Sequence, residues 1–595
     1  MNNQNYNDIP EWDLKDLYLG INDLNIQKDL NKIRLLSKDF ILKYQGNIEK
    51  FFLNDMNAFS ESIIENEKLS ELISKLGTFG YLNKAKYSND HNIAIFYQNL
   101  VDEITEIEAS LIFFYLEIKS LNKERLFIEI ENNANLKKYN SWFKKIFLFQ
   151  DYYLSESEEK ILHLKEQTSS GLLIRMFDEF FANLKFEFQG KKLSDNEIFH
   201  YLTSSDEEER KEAGLSIGKT LKENGKFITL IINSIAKDKS IDSNLRGFKK
   251  PISSRNLMNN IDDQVVQNLI DSVKSNYKSI SNRYYHIKAK LLKKEKLKFF
   301  DRNAPILNEA KRKFSWNESK EIVLKAFRRF SPEIADEAKK FFDNQWIDAK
   351  IINGKTSGAF CHPCVPSVHP YMSMNFHGDI YDVMTLAHEL GHCIHYMFSK
   401  KNGYLCSDIP LTFAETASVF GEQLVFRYLL EIETDNNIKK SLISKKIEDM
   451  INTVFRQISF VDFEIQLHEK RLKSELSEEE ICSIWMNIQK EVLGDAFDLD
   501  EEYKYYWSYI SHFIHAPFYV YAYAFGDCLV NSLYKYYLNN EYNFATKYIN
   551  LLSKGGTQDA KSLLEPFGLD IFDKNFWNSG LSVIEDLINK LEENF

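Results

Sequence analysis

The chain has 595 residues, with 75 Lys and Arg against 87 Asp and Glu, which leaves a net charge of −12. This acidic surplus argues against a dedicated nucleic-acid binder, and 44% hydrophobic with 27% charged residues rules out wholesale disorder. With 22 Gly and 10 Pro in the whole chain, turn formers are scarce, so long helices are expected and an all-β fold is not.

The N-terminal stretch carries Glu11, Asp13, Asp16 and Asp23 without a basic start or a long apolar run, so secretion is not expected. No window approaches the roughly 18 uninterrupted apolar residues of a membrane span; the nearest, Ile514 to Gly526, is short and contains His515 and Pro517. The six cysteines are too sparse for a disulfide framework, which points to a reducing cytoplasm. Cys361-His-Pro-Cys364 has the C-x-x-C form, but no second pair completes a four-thiolate metal site, and it reads as two ordinary thiols beside a loop.

From Asn22 to about Phe188, apolar residues recur at helical spacing, as in Leu30, Ile33, Leu36, Phe40 and Tyr44. This half is expected to be packed amphipathic helices serving as scaffold. The polar stretch from Gly190 to Asp206, where Ser204 and Glu207 have the spacing of a capping box, suggests a helix start and a boundary. The regions are therefore 1–195, helical, and 196–595, carrying the chemistry. Between Ile351 and Asp379, six Gly and Pro residues interrupt the helical pattern. There Met372, Met374 and Phe376 alternate with Tyr371, Ser373 and Asn375, which predicts a half-buried strand and hence a small β-sheet just before the next helix.

That helix, from about Tyr381, contains His388-Glu389-Leu-Gly-His392. The two imidazoles are four residues apart and leave the same helix face, where they can take two corners of a zinc tetrahedron. Glu389 then lies beside the metal and is placed to take a proton from the water it activates. A third ligand must come from elsewhere. Glu415, 23 residues after His392 in a second helical pattern opened by Pro410, can return to the ion if the two helices run antiparallel, leaving a fourth position for water. Gly391, Ala414 and Ala417 would let their backbones approach. Glu422, seven residues after Glu415, fits two roles: orienting a ligating histidine or lying on the surface. His395 fits a core or supporting histidine better than a fourth ligand, which would close the position that catalysis needs. Donors for a developing oxyanion are concentrated between Trp507 and Gly526, among them His512, His515, Tyr519, Tyr521 and Tyr523.

Trp346-Ile-Asp348, Gly358-Ala-Phe-Cys361, Val368-His-Pro-Tyr371, Asn375-Phe376, the His388 helix, Ala414-Glu-Thr-Ala-Ser418 and His512-Phe513 with Pro517-Phe-Tyr-Val-Tyr521 occur in that order. Together they resemble oligoendopeptidase F, within the thimet-oligopeptidase-like zinc peptidases, over essentially the whole chain. The resemblance implies a mainly α fold: a large multi-helix body divided by a deep substrate channel, with a small sheet next to the zinc-binding helix. It implies one Zn2+ per chain on His388, His392 and Glu415, with Glu389 as general base. His512 and Tyr519 are the leading oxyanion donors, and Tyr523, Tyr521 and His515 are the alternatives. Short unfolded peptides would be substrates, pairing with the strand around Tyr371 to Phe376. No nucleic-acid or membrane partner is expected, and the chain would be a monomer or a weak homo-oligomer. Two other readings share these residues: a helical zinc carboxypeptidase or dipeptidase, and a catalytically silent zinc-stabilised peptide binder, against which an intact Glu389 argues.

Overall fold

Helices dominate the computed structural model, which describes residues 8–166, 168–306, 313–356, 358–540 and 542–593. They gather into two units, each assembled from three separated stretches of chain. Met1–Gln150, Arg312–Ile432 and Tyr537–Leu569 form the first, and Asp151–Lys311, Glu433–Tyr536 and Asp570–Phe595 the second. No helix among the described residues is long and apolar enough to cross a membrane.

In the first unit, the helix Leu24–Tyr44 begins where the Asp23 carboxylate accepts the Asn25 N–H, and it buries Ile26, Leu30, Ile33, Phe40 and Tyr44. Leu36, expected on that stripe, is 41% exposed: it follows Ile33 by three residues and Leu30 by six, at the edge of a stripe that the neighbouring helices do not reach. Phe40 meets Tyr44 and Phe114 at ring separations of 4.7 and 5.1 Å. Burying each such ring contributes roughly 1.5–3 kcal/mol.

The small sheet of this unit has strands β1 (Ile347–Asp348), β2 (Phe360–His362) and β3 (Tyr371–Ser373) in the order β1-β3-β2. β3 runs parallel to β1 and antiparallel to β2, with Cys361 opposite Met372. Two expectations are corrected here. The strand is not half-buried, because Tyr371, Met372 and Ser373 are all buried. It is also the central strand, with both hydrogen-bonding edges occupied, so it has no free edge for a substrate; β1 and β2 are the outer strands. The alternation in the sequence reported the pleat but not which strand stood at the rim.

The helices α1 (Ile380–Ser399) and α2 (Leu411–Ile432) follow. α1 starts at a reciprocal cap in which Asp382 Oδ2 accepts the N–H groups of Asp379 at 3.0 Å and His377 at 2.7 Å. Its stripe of Val383, Leu386, Ala387, Leu390 and Ile394 is buried.

In the second unit, the helix Glu207–Glu223 is capped by Asp206, which accepts the N–H groups of Glu208 and Glu209, and not by the expected Ser204–Glu207 box. The carboxylate directly before the helix reaches these donors, while Ser204 Oγ donates to Glu209 Oε2 at 2.6 Å. A capping box does form nearby, between Ser194 and Glu197. The core of this unit includes α3 (Gln457–Arg471), whose Phe460 and Phe463 pack on Trp485, and α4 (Tyr521–Asn539), whose Phe525 packs on Trp577.

Candidate metal centre

α1 and α2 approach so closely that neither has room for a side chain at the crossing. A Cβ on Gly391 would lie 2.4 Å from the Ala417 carbonyl oxygen, and one on Gly421 would lie 3.0 Å from that of Ala387. Glycine at both positions is what lets a carboxylate on α2 reach imidazoles on α1.

The result is a triangle of donor atoms. His388 Nε2 is 3.2 Å from His392 Nε2 and 3.4 Å from Glu415 Oε2, and His392 Nε2 is 3.7 Å from the same oxygen. A tetrahedral ion with bonds of about 2.05 Å has ligand-to-ligand edges of about 3.3 Å, so the three atoms fit such an ion with minor adjustment. Among the described residues, these form the group of three that can hold a metal.

Hydrogen bonds set each donor's direction. His388 Nδ1 is 2.6 Å from Glu422 Oε1, so this nitrogen carries the proton and Nε2 presents its lone pair to the centre. The His392 ring donates an N–H toward the Ala414 backbone carbonyl, and Ser418 Oγ donates to Glu415 Oε2 at 2.7 Å. Of the two roles open to Glu422, the structure gives it the contact with the histidine. Burial disfavours the charged form of His388, but Glu422, Glu415 and Glu389 outweigh it and raise the imidazole to about 9. Three carboxylates around two imidazoles make a field that a cation would offset.

Glu389 is 7% exposed and is not one of the three residues of the triangle. Burial pushes its carboxyl up to about 7, opposed by the His388 charge and by a backbone hydrogen bond from Cys361 on β2. His395 stays outside the triangle: it is buried, burial drives its imidazole down to about 3, and its Nδ1 has no partner among the described residues.

The aromatic segment belongs to the second unit. His512 opens the short helix His512–His515, and its ring is 6.2 Å from that of Tyr519, while Tyr519 and Tyr523 are 5.3 Å apart. Tyr523 Oη is 3.3 Å from His512 Nε2. These three form one cluster. The other two candidates leave it for physical reasons: Tyr521 is fully buried with its hydroxyl accepting from Asn259 Nδ2 at 2.8 Å, and His515 Nε2 is held 2.7 Å from Asp178.

Several contributors were invisible to sequence reading. Glu464 on α3 accepts the Phe518 N–H at 2.7 Å, Arg255 Nε donates to the Pro517 carbonyl at 3.3 Å, and between them the backbone turns through Phe518 at φ 63°. This left-handed turn, unusual for a bulky residue, directs the Tyr519 ring. Ser418 could have been found, since it follows Glu415 by three residues and shares its helix face; Arg255, Glu464 and Asp178 leave no such local signal.

Comparison with known proteins gives the family and the fold. Residues 200–582 match the model of peptidase family M3, and residues 117–186 match that of oligopeptidase F. The chain is 30% identical to an oligoendopeptidase F homolog of Borreliella burgdorferi over 100% of its own length and 99% of that protein. It is 24% identical to oligopeptidase PepF of Bacillus subtilis, over 98% of this chain and 87% of the relative. The fold matches the crystal structure of oligoendopeptidase-F from Enterococcus faecium with a TM-score of 0.71, at 20% identity and over 96% of this chain and 98% of that one. With the match to the M3 model spanning more than half of its length, the chain is a peptidase and belongs to peptidase family M3.

Proposed function

We propose that the chain is a zinc-dependent endopeptidase that hydrolyses internal bonds of short unfolded peptides. The observation that carries this reading is the triangle of His388 Nε2, His392 Nε2 and Glu415 Oε2, all within 4.8 Å of one another, with the buried carboxyl of Glu389 one residue from the first ligand. Zinc held by these three atoms would supply a Lewis acid that polarises the scissile carbonyl and makes water acidic near neutral pH.

The remaining steps belong to the chain's own residues. Glu389 takes a proton from the attacking water and returns it to the leaving amine. Glu422 keeps the proton of His388 on Nδ1, so that the ligating nitrogen stays unprotonated. His512 and Tyr519 donate hydrogen bonds to the oxyanion as the carbonyl becomes tetrahedral. Tyr523, touching both rings, holds them in place. An extended substrate adds to the sheet at β2, one of its two outer strands, in place of the central strand that the resemblance implied.

Hydrolysis of an internally quenched peptide blocked at both ends tests the reading. Cleavage that a chelator stops, one equivalent of zinc restores and Glu389→Gln reduces by orders of magnitude is the expected result. Cleavage of unblocked peptides only would assign the site to an exopeptidase, and no hydrolysis of either would leave a binding protein.

A further inference from the structure

The C-x-x-C of the sequence is not a working pair. Cys364 is buried, turns through φ 62° and gives its N–H to His362 Nδ1 at 3.1 Å. Cys361 instead meets a cysteine from another element: its Sγ lies 3.1 Å from that of Cys393, which directly follows His392 on α1. Cys361 is the one cysteine of the six that is not buried, so a small oxidant reaches it first and finds the second thiol already in contact. A disulfide has a sulfur separation of about 2.05 Å, so closing this pair calls for about 1 Å of movement.

We propose that Cys361 and Cys393 are a reversible disulfide site, oxidised by hydroperoxides and reduced by dithiols. The Cys361 sulfur attacks one oxygen of the hydroperoxide; the O–O bond breaks, the alcohol or water leaves, and a sulfenic acid remains. The Cys393 sulfur then attacks the Cys361 sulfur and expels the hydroxyl group, which departs as water with the Cys393 proton. Two thiols have given two electrons to one peroxide. A dithiol returns both hydrogens and closes the cycle.

The site touches the proposed chemistry through packing, because β2 lies against α1, where Glu389 stands one turn before Cys393. Closing the pair draws the two elements together by about 1 Å and shifts Glu389 with its helix. Resting on Glu389 as the base, hydrolysis in the crosslinked form falls roughly tenfold or more, since a misplacement of about 1 Å can cost on the order of 10²-fold, and recovers with dithiothreitol.

The test uses the full chain, reduced, freed of reductant and treated with a small excess of hydrogen peroxide. Thiols counted after unfolding are expected to fall from the six free cysteines to four, and non-reducing peptide mapping to join Cys361 with Cys393. Cys364→Ser should still form this link and Cys393→Ser should not. A Cys361–Cys364 link, or Cys361 carried to the sulfinic acid while Cys393 remains open to alkylation, would overturn the site. Unchanged hydrolysis in a fully crosslinked sample would overturn the coupling to Glu389. If the chain cleaves no peptide even when reduced, the reading of the function fails, while the peptide map still decides the disulfide.

Discussion

Gly391→Ala changes no ligand, yet it should abolish metal binding. The new Cβ would lie 2.4 Å from the Ala417 carbonyl oxygen and 2.5 Å from the Ser418 Cα, both backbone atoms of α2 that no rotamer change can move aside. Side-chain carbons do not approach other atoms closer than 3.0 Å, and ordinary contact begins near 3.4 Å, so the helices must separate by about 0.6 to 1 Å. Metal–ligand distances tolerate about ±0.2 Å. Glu415 lies on the same turn of α2 as Ala417 and Ser418 and retreats with them, opening the triangle well beyond that tolerance. The added methyl costs about 1–3 kcal/mol of stability as overpacking, which a unit of this size withstands. Circular dichroism should therefore show a folded, helical protein, and elemental analysis after dialysis should show substoichiometric zinc. A folded Gly391→Ala that retains one zinc per chain at the affinity of the parent would refute the argument that close helix approach builds the site.

Three further outcomes follow from the same contacts. Glu422→Ala should weaken zinc binding about 10–100-fold in competition with a chromogenic chelator, because the His388 ring loses the acceptor that fixes its tautomer; unchanged affinity would return Glu422 to the role of a surface acid. Tyr519→Phe should bind zinc normally and lower kcat by roughly 10²–10³ with little effect on KM, and a kcat equal to that of the parent would remove the Tyr519 hydroxyl from the reaction. His468, buried on α3, is pushed down to about 3 by burial, against about 6.5 in an unfolded chain. The unfolded state therefore binds the extra proton between these values, so the stability that the neutral ring contributes above pH 6.5 is lost as pH falls, by about 1.4 kcal/mol per pH unit. In His468→Gln the fall in melting temperature from pH 6.5 to 4.5 should be shallower than in the parent, and an equal fall would show that this ring does not titrate on unfolding.

Features held within one or two turns of helix were readable from the chain alone. The four-residue interval between His388 and His392 sets their common face whatever surrounds them, and Gly391 and Ala417 announced the close crossing that brings in Glu415, although Gly421, the other glycine there, was not singled out. Features made through space were not. The alternation from Tyr371 to Phe376 gives a pleat but carries no information on neighbours, so the central position of β3 became visible only with its partners β1 and β2. Tyr519, Tyr521 and Tyr523 have the same chemistry in sequence. What separates them is Asn259, more than 250 residues upstream, which takes the Tyr521 hydroxyl into the core. Likewise Cys361 and Cys364 read as two ordinary thiols, and nothing in their spacing announced the contact of Cys361 with Cys393 on α1.

Anomalous diffraction from crystals of the zinc-loaded chain, recorded on both sides of the zinc absorption edge, tests the central assignment most directly. The account predicts a single strong peak about 2.0–2.2 Å from His388 Nε2, His392 Nε2 and a Glu415 carboxylate oxygen, with the Glu389 carboxylate near the ion but not bound to it. A peak elsewhere, or one coordinated by Glu389 in place of Glu415, would contradict it.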